Sequence, residues 1–234
     1  MRYRVLACDY DGTLAHDGHV DAPVVAALDR FVATGRELIL VTGRQLPELL
    51  AIFPQIDRFV RVVAENGAIL YRPGDRAQKL LAPAPPADFL EALKRRGINA
   101  DVGHAVVATW RPHDTAVREV IRELKLEWNV ILNKDAVMAL PAGVNKASGL
   151  RAALNELGRS LEETVGVGDA ENDLCLLRVC AVGVAVANAL PSVKKRADLV
   201  TAGDHGAGVA ELVDRITKDD LAELALHPRE AEQS

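Results

Sequence analysis

The residues best placed to do chemistry follow directly on a short apolar run. Val5 to Cys8 reads as a buried strand, and Asp9-Tyr10-Asp11-Gly12-Thr13 continues from it without a break. Two carboxylates one residue apart at the end of a buried strand are costly unless something cationic neutralises them. Mg²⁺, which takes a few carboxylates and keeps several waters, suits that position. An acidic turn in which Gly12 supplies the bend is the ordinary alternative. Three further segments repeat the arrangement. Val41-Thr42-Gly43-Arg44 ends an apolar run and opens a helix, offering a hydroxyl and backbone N–H groups to a phosphate, or simply an N-cap. Lys146 begins a helix after Gly143-Val144-Asn145, where the macrodipole disfavours a cation. An anion nearby would explain it, and so would solvation. Gly168-Asp169-Ala170-Glu171-Asn172-Asp173 follows another β-like run and adds the carboxylates of Asp169 and Asp173, each an ordinary cap or first-turn acid if read singly. Recurrence decides between these readings: a random acidic surface would not sort paired acids, one hydroxyl and one lysine onto the ends of successive elements.

The elements that must position these groups are legible in the same runs. Val5 to Cys8, Glu37 to Val41, Val60 to Val63 and Thr164 to Val167 are short, rich in Val, Ile and Leu, and not alternating, as strands buried on both faces require. Helical spacing occupies Ala22 to Thr34, Leu46 to Phe53, Ala147 to Leu157 and Asn172 to Val179. Alternation of the two predicts an α/β chain with a parallel sheet and helices on both faces, whose ligand site lies beyond the carboxyl ends of the strands. Pro83, Pro85 and Pro86 interrupt this pattern, and Pro141 and Gly143 mark its return. Between them are predicted a helix Ala87 to Arg96, a strand His104 to Trp110, a helix Asp114 to Leu126, and strands near Val130 and Val137. Residues 83–143 are therefore read as an inserted α/β unit, 1–82 and 144–220 as the main unit, and 221–234 as a tail, polar and frayed from His227 to Ser234.

Bulk composition narrows the function. The 234 residues are 49% hydrophobic and 26% charged, enough to bury a core, and the formal net charge of -5 argues against a nucleic-acid partner. Cys8, Cys175 and Cys180 are an odd set without metal-ligand spacing, so neither a disulfide framework nor a zinc site is expected. Carboxylates in the first residues exclude a secretory signal there, and no apolar run approaches the roughly 20 residues of a membrane span, so a cytoplasmic location with no membrane partner is expected.

With these segments in order, the sequence resembles the haloacid dehalogenase superfamily. Asp9 to Thr13, Thr42-Gly43, Lys146 and Gly168-Asp169 through Asp173 match its four motifs. Glu65-Asn66-Gly67-Ala68, Gly143 to Lys146 and Val186-Ala187-Asn188-Ala189-Leu190-Pro191 extend the likeness to the type IIB, Cof-like branch, in which a cap is inserted between the second and third motifs. The resemblance implies a Rossmann-like core with a small inserted cap, and a Mg²⁺-dependent phosphatase acting on a small phosphate ester such as a sugar phosphate or phosphoglycolate. It implies that Asp9 is the nucleophile, forming an aspartyl-phosphate, and that Asp11 is the acid and base. Thr42, Gly43 and Lys146 would hold the phosphoryl oxygens. Asp9, Asp11 through its backbone carbonyl, Asp169 and Asp173 would hold the metal. Arg44, Asn172 and Asn188 are further candidates for substrate contact, as are Arg111, His104, His113 and Lys134 of the insertion, each also readable as an ordinary structural or solvated side chain. A sugar-phosphate mutase of the same branch and a receiver-type signalling domain are the alternatives. The first usually carries a larger cap, and the second places its acidic pair on adjacent residues and phosphorylates an aspartate on a later strand.

Overall fold

The computed structural model describes residues 1–224; the predicted frayed tail lies outside them from residue 225 on. The chain opens with β1 (Val5–Cys8), α1 (Ala22–Ala33), β2 (Glu37–Val41), α2 (Leu46–Ile52), β3 (Arg61–Ala64), β4 (Ile69–Arg72) and β5 (Ala77–Leu80). The insertion follows as α3 (Ala87–Arg95), β6 (Asp101–Val102), β7 (Val107–Trp110), α4 (Asp114–Glu123), β8 (Trp128–Asn133) and β9 (Ala136–Pro141). The chain then returns through α5 (Lys146–Leu157), β10 (Thr164–Gly168), α6 (Leu174–Val179), β11 (Val182–Ala185), α7 (Pro191–Lys194), β12 (Leu199–Val200) and α8 (His205–Asp219).

The main sheet has eight strands in the order β12-β11-β10-β1-β2-β3-β4-β5. It is parallel from β12 to β3, as the unbroken apolar runs predict. It then departs from expectation, because β4 and β5 add an antiparallel hairpin at one edge. The reason is visible in burial: β5 is largely exposed, so it carries no apolar run to betray it. Apolar clusters fill both faces of the sheet. Leu6, Leu40, Val165 and Val182 pack with Leu28, Phe31, Leu212 and Ile216 of α1 and α8. Val5, Ile39 and Val63 pack with Leu150, Leu154 and Leu176 of α5 and α6 on the other. The architecture is a Rossmann-like α/β core with a small inserted α/β cap.

Register is what the site depends on. Cys8 lies beside Leu40 of β2 and Val167 of β10, so the three central strands end at one level. The residues just beyond, Asp9, Thr42 and Asp169, are thereby delivered to one edge.

The insertion forms its own antiparallel sheet in the order β6-β7-β9-β8. Its strands alternate, as a sheet with two different faces must. Val107, Val137 and Ala139 point towards Phe89, Leu93, Val117 and Val120 of α3 and α4. Met138, Leu140 and the loop residues Ala105 and Val106 instead join Ala68 and Ala82 of the main unit. The predicted strand from His104 starts only at Val107, because residues 104–106 turn their N–H groups elsewhere. The predicted helix from Asn172 is a 3-10 turn, Glu171–Asp173, before α6 begins.

Gly149, inside α5, marks the tightest contact between helix and sheet. A Cβ there would overlap Val63 Cγ1 and come within 2.7 Å of Gly67 Cα. Two effects oppose each other in Gly149→Ala: helix propensity gains up to about 1 kcal/mol, while overpacking costs about 1–3 kcal/mol. Because one of the colliding atoms is backbone, overpacking is expected to win. Urea unfolding should show a net loss of about 1–2 kcal/mol; a stabilised variant would contradict the packing described.

Candidate active site

Four predicted segments converge at the carboxyl edge of β1. Asp9, 4% exposed, extends β1, and its N–H donates to Val167 O at 3.0 Å. Lys146 at the start of α5 is fully enclosed, and its Nζ lies 2.5 Å from Asp9 Oδ1 and 2.6 Å from Asp173 Oδ1. The position that the macrodipole disfavours is thus occupied by a cation held between two buried carboxylates. Asp173 Oδ2 accepts from the N–H groups of Asp169 (2.9 Å) and Ala170 (3.0 Å), which ties the 3-10 turn to the cluster. Asp169 Oδ1 accepts from Thr13 Oγ1 at 3.0 Å.

Gly12 closes the arrangement, and no other residue type would serve. Its φ is +81°, and a Cβ on it would come within 2.6 Å of Asp169 Oδ2. The missing side chain leaves room beside that oxygen. Asp9, Asp169 and Asp173 each offer a carboxylate oxygen within 4.8 Å of the others, the one such acidic, His or Cys group among the described residues. Three hard oxygen donors of this kind fit a Mg²⁺-like cation.

The remaining predicted residues fall into place around this cluster with different partners. Thr42 is fully buried at the end of β2, and its Oγ1 accepts from Arg44 N at 3.1 Å. Asp11 points its carboxylate away from the buried trio and towards Arg44, whose Nε and Nη2 donate to it at 2.6 and 2.7 Å. Asn172 Nδ2 donates to Asn66 Oδ1 at 3.0 Å, while its own Oδ1 is buried without a hydrogen-bond partner. Asn188 fastens loops, donating to Gly12 O (2.7 Å) and accepting from His205 N (2.7 Å). Of the insertion's candidates, Lys134 alone reaches the cluster, its Nζ 2.8 Å from Asp169 Oδ2. Arg111 and His113 sit where β7 runs into α4.

One residue was missed as a functional group. Glu65, at the end of β3, is buried, and its carboxylate accepts from the N–H groups of His104 (2.9 Å), Ala105 (2.9 Å) and Val106 (3.2 Å). This is the bond between core and cap that bends residues 104–106 out of β7. An acid straight after the apolar run Val62-Val63-Ala64 was the available signal, the same one that singled out Asp9 and Asp169.

Electrostatics follow from burial. Desolvation, and next the neighbouring Asp173, raise the Asp9 carboxyl well above the usual range, with Lys146 opposing them. Desolvation works against the Lys146 ammonium, but Asp173 and Asp9 outweigh it and keep the lysine charged. Burial, then Asp9, pushes the Cys8 thiol up, so Cys8 is not a thiolate nucleophile.

This geometry is matched by comparison with known proteins. The profile of the haloacid dehalogenase-like hydrolases matches residues 6–105 and 122–213. The chain belongs to that family. A phosphoglycolate phosphatase of Methanothermobacter thermautotrophicus is 33% identical over 219 residues, covering 91% of this chain and 98% of the relative. Another, from Halorubrum lacusprofundi, is 32% identical over 216 residues, 88% and 93% of the two chains. Among solved structures, a haloacid dehalogenase-like hydrolase of Bacteroides thetaiotaomicron superposes with a TM-score of 0.79 at 21% identity, over 92% of this chain and 99% of that one. A HAD subclass IIB sugar phosphatase gives 0.77 at 20% identity, again over 92% and 99%. These last two share the fold. No helix among the described residues is long and apolar enough to cross a membrane.

The raised Asp9 carboxyl makes protons and a divalent cation competitors for one group. Only the ionised form binds the cation, so affinity is expected to rise with pH through the elevated Asp9 value and to fall below it. Calorimetric titration of Mg²⁺ into this hydrolase over the acidic to neutral range reads this directly. A flat affinity across that range would contradict the environment described for Asp9.

Proposed function

We propose that this hydrolase is a Mg²⁺-dependent phosphatase that cleaves a small phosphorylated metabolite of the phosphoglycolate or sugar-phosphate type, with Asp9 as nucleophile. The observation that carries the reading is the position of Asp9: at the end of the central strand, buried against Lys146, and grouped with Asp169 and Asp173. The two phosphoglycolate phosphatases similar over nearly the whole chain support the substrate class.

An Asp9 oxygen attacks phosphorus, the bond from phosphorus to the ester oxygen breaks, and the phosphoryl group is carried on Asp9 as an acyl phosphate. Asp11 supplies the proton that the departing alkoxide needs. A water then attacks the same phosphorus, Asp11 takes its proton back, and Asp9 is regenerated with release of inorganic phosphate. Asp11 must let go of Arg44 to carry that proton, which gives Arg44 a holding role. Thr42, Gly43 and Lys146 bind the phosphoryl oxygens and steady their charge as it shifts. Mg²⁺, held by Asp9, Asp169, Asp173 and the Asp11 backbone carbonyl, would offset the negative charge of nucleophile and phosphate brought together.

Residues 83–143 act in this reading as the cap and 1–82 with 144–220 as the catalytic unit, supported by the separate apolar clusters of each. A cytoplasmic setting goes with the three cysteine thiols.

Phosphate release from phosphoglycolate and from small sugar phosphates, measured with Mg²⁺ and with excess chelator, tests the reading. Asp9→Asn is expected to lose at least about a thousandfold in kcat while keeping its melting temperature within a few degrees; turnover near the parent rate would refute the nucleophile. Asp11→Asn should cost about 10²–10⁴-fold with an alkyl ester and less with an aryl ester in single-turnover measurements of the first step. Equal losses with both esters would remove Asp11 from the acid role.

A further inference from the structure

Besides an exposed hydrogen bond from Gln45 Nε2 to Asp101 Oδ2 at 2.9 Å, core and cap meet at two junctions of different physical character. The first is the Glu65 bond, buried and flanked by Ala68, Ala82, Val106 and Met138, close to where the chain passes between the units. Its carboxylate is satisfied by backbone N–H groups, and no competing ligand is in reach, so it is a fixed joint. The second is the turn between β8 and β9. There Lys134 adopts φ 53°, uncommon for a residue with a side chain, and its N–H donates to Glu171 Oε2 at 3.0 Å. The same residue sends Nζ to Asp169 Oδ2. This junction is polar, and the Lys134 side chain is 49% exposed.

Asp169 Oδ2 is buried beside Gly12 and makes no aligned hydrogen bond, so the ammonium is its charge partner. Charge balance shows what that partner does. With all three ionised, the buried carboxylates face two ammonium groups, Lys146 and Lys134, which leaves one negative charge over. With a divalent cation present, Asp9, Asp169, Asp173, Lys146 and the cation balance without Lys134, whose charge becomes surplus and repelled. We propose that Lys134 is a latch that holds the cap closed on the cation-free centre and is expelled when a divalent ion takes Asp169 Oδ2. This rests on the divalent centre of the preceding reading and adds that filling it loosens the β8–β9 end of the cap, leaving there only the Lys134 N–H bond to Glu171, while the Glu65 joint stays shut. The mouth would then open to substrate only after the centre is charged.

Calorimetric titration of Mg²⁺ into the full chain, without substrate, tests this. Lys134→Ala is expected to tighten Mg²⁺ binding about threefold or more, since a competing cation has gone. Lys134→Arg should keep most of the competition. Arg111→Ala removes the same charge elsewhere in the cap and should leave the affinity close to that of the parent. Hydrogen exchange adds a second readout: amides of residues 129–136 should exchange faster with Mg²⁺ than without it, and in Lys134→Ala should already be fast without it. Equal affinity in the parent and Lys134→Ala, or slower exchange of the hairpin with Mg²⁺, would overturn the latch while leaving the divalent centre intact. Absence of any Mg²⁺ binding by the parent would overturn both.

Discussion

Three carboxylates buried within a few ångströms of one another impose the condition that the rest of the molecule meets. Left to themselves Asp9, Asp169 and Asp173 would repel one another, and burial first, then the charge of Asp173, raises the Asp9 carboxyl. Lys146 is the fixed part of the answer. It is fully enclosed, bound to Asp9 and Asp173 together, and placed at a helix start that would not tolerate a cation without them. The backbone N–H groups of Asp169 and Ala170 supply the next portion by bonding Asp173. Asp169 Oδ2, buried and without a hydrogen bond, is left to the Lys134 ammonium at 2.8 Å.

This condition explains features of the fold that otherwise look unrelated. The strands β1, β2 and β10 must end at one level, because a slip of one residue would move Asp9 or Asp169 away from Lys146. The residue after Asp11 must be glycine, since any side chain would fill the space beside Asp169 Oδ2. The loop from β10 must tighten into a 3-10 turn instead of starting α6 at once, because only so does Asp173 come round to the N–H groups beside it. Catalysis by positioned charge asks for such rigidity, as groups that need not reorganise stabilise a shifting phosphoryl charge best.

The cap adds a second layer of control with little material. Glu65 fixes one end of it through backbone bonds that no ligand contests, and Lys134 holds the other through an ion pair that a stronger cation can contest. The difference between a joint and a latch is thus one of solvent and competitors, not of bond count. The chain belongs to the haloacid dehalogenase-like hydrolases, with phosphoglycolate phosphatases among the similar proteins.

The sequence by itself determined the edge at which the candidate site residues gather. Buried parallel strands need unbroken apolar runs, so Val5–Cys8, Glu37–Val41 and Thr164–Gly168 announced both the sheet and the places where polar residues would emerge from it. Asp9, Thr42, Lys146, Asp169 and Asp173 were legible because they recur at successive element ends, although Thr42, Asp169 and Asp173 are ordinary cap or first-turn residues when read singly. It did not disclose the hairpin of β4 and β5, whose exposed strand leaves no apolar pattern, nor which acid faces which base. Only the tertiary structure decided that Asp11 turns to Arg44, that Glu65 clasps residues 104–106, and that Lys134, far along the chain, rests on Asp169. The last two pairings depend on where a second sheet docks on the first, and a local pattern carries a residue's burial and spacing but not the partner that another part of the chain brings to it.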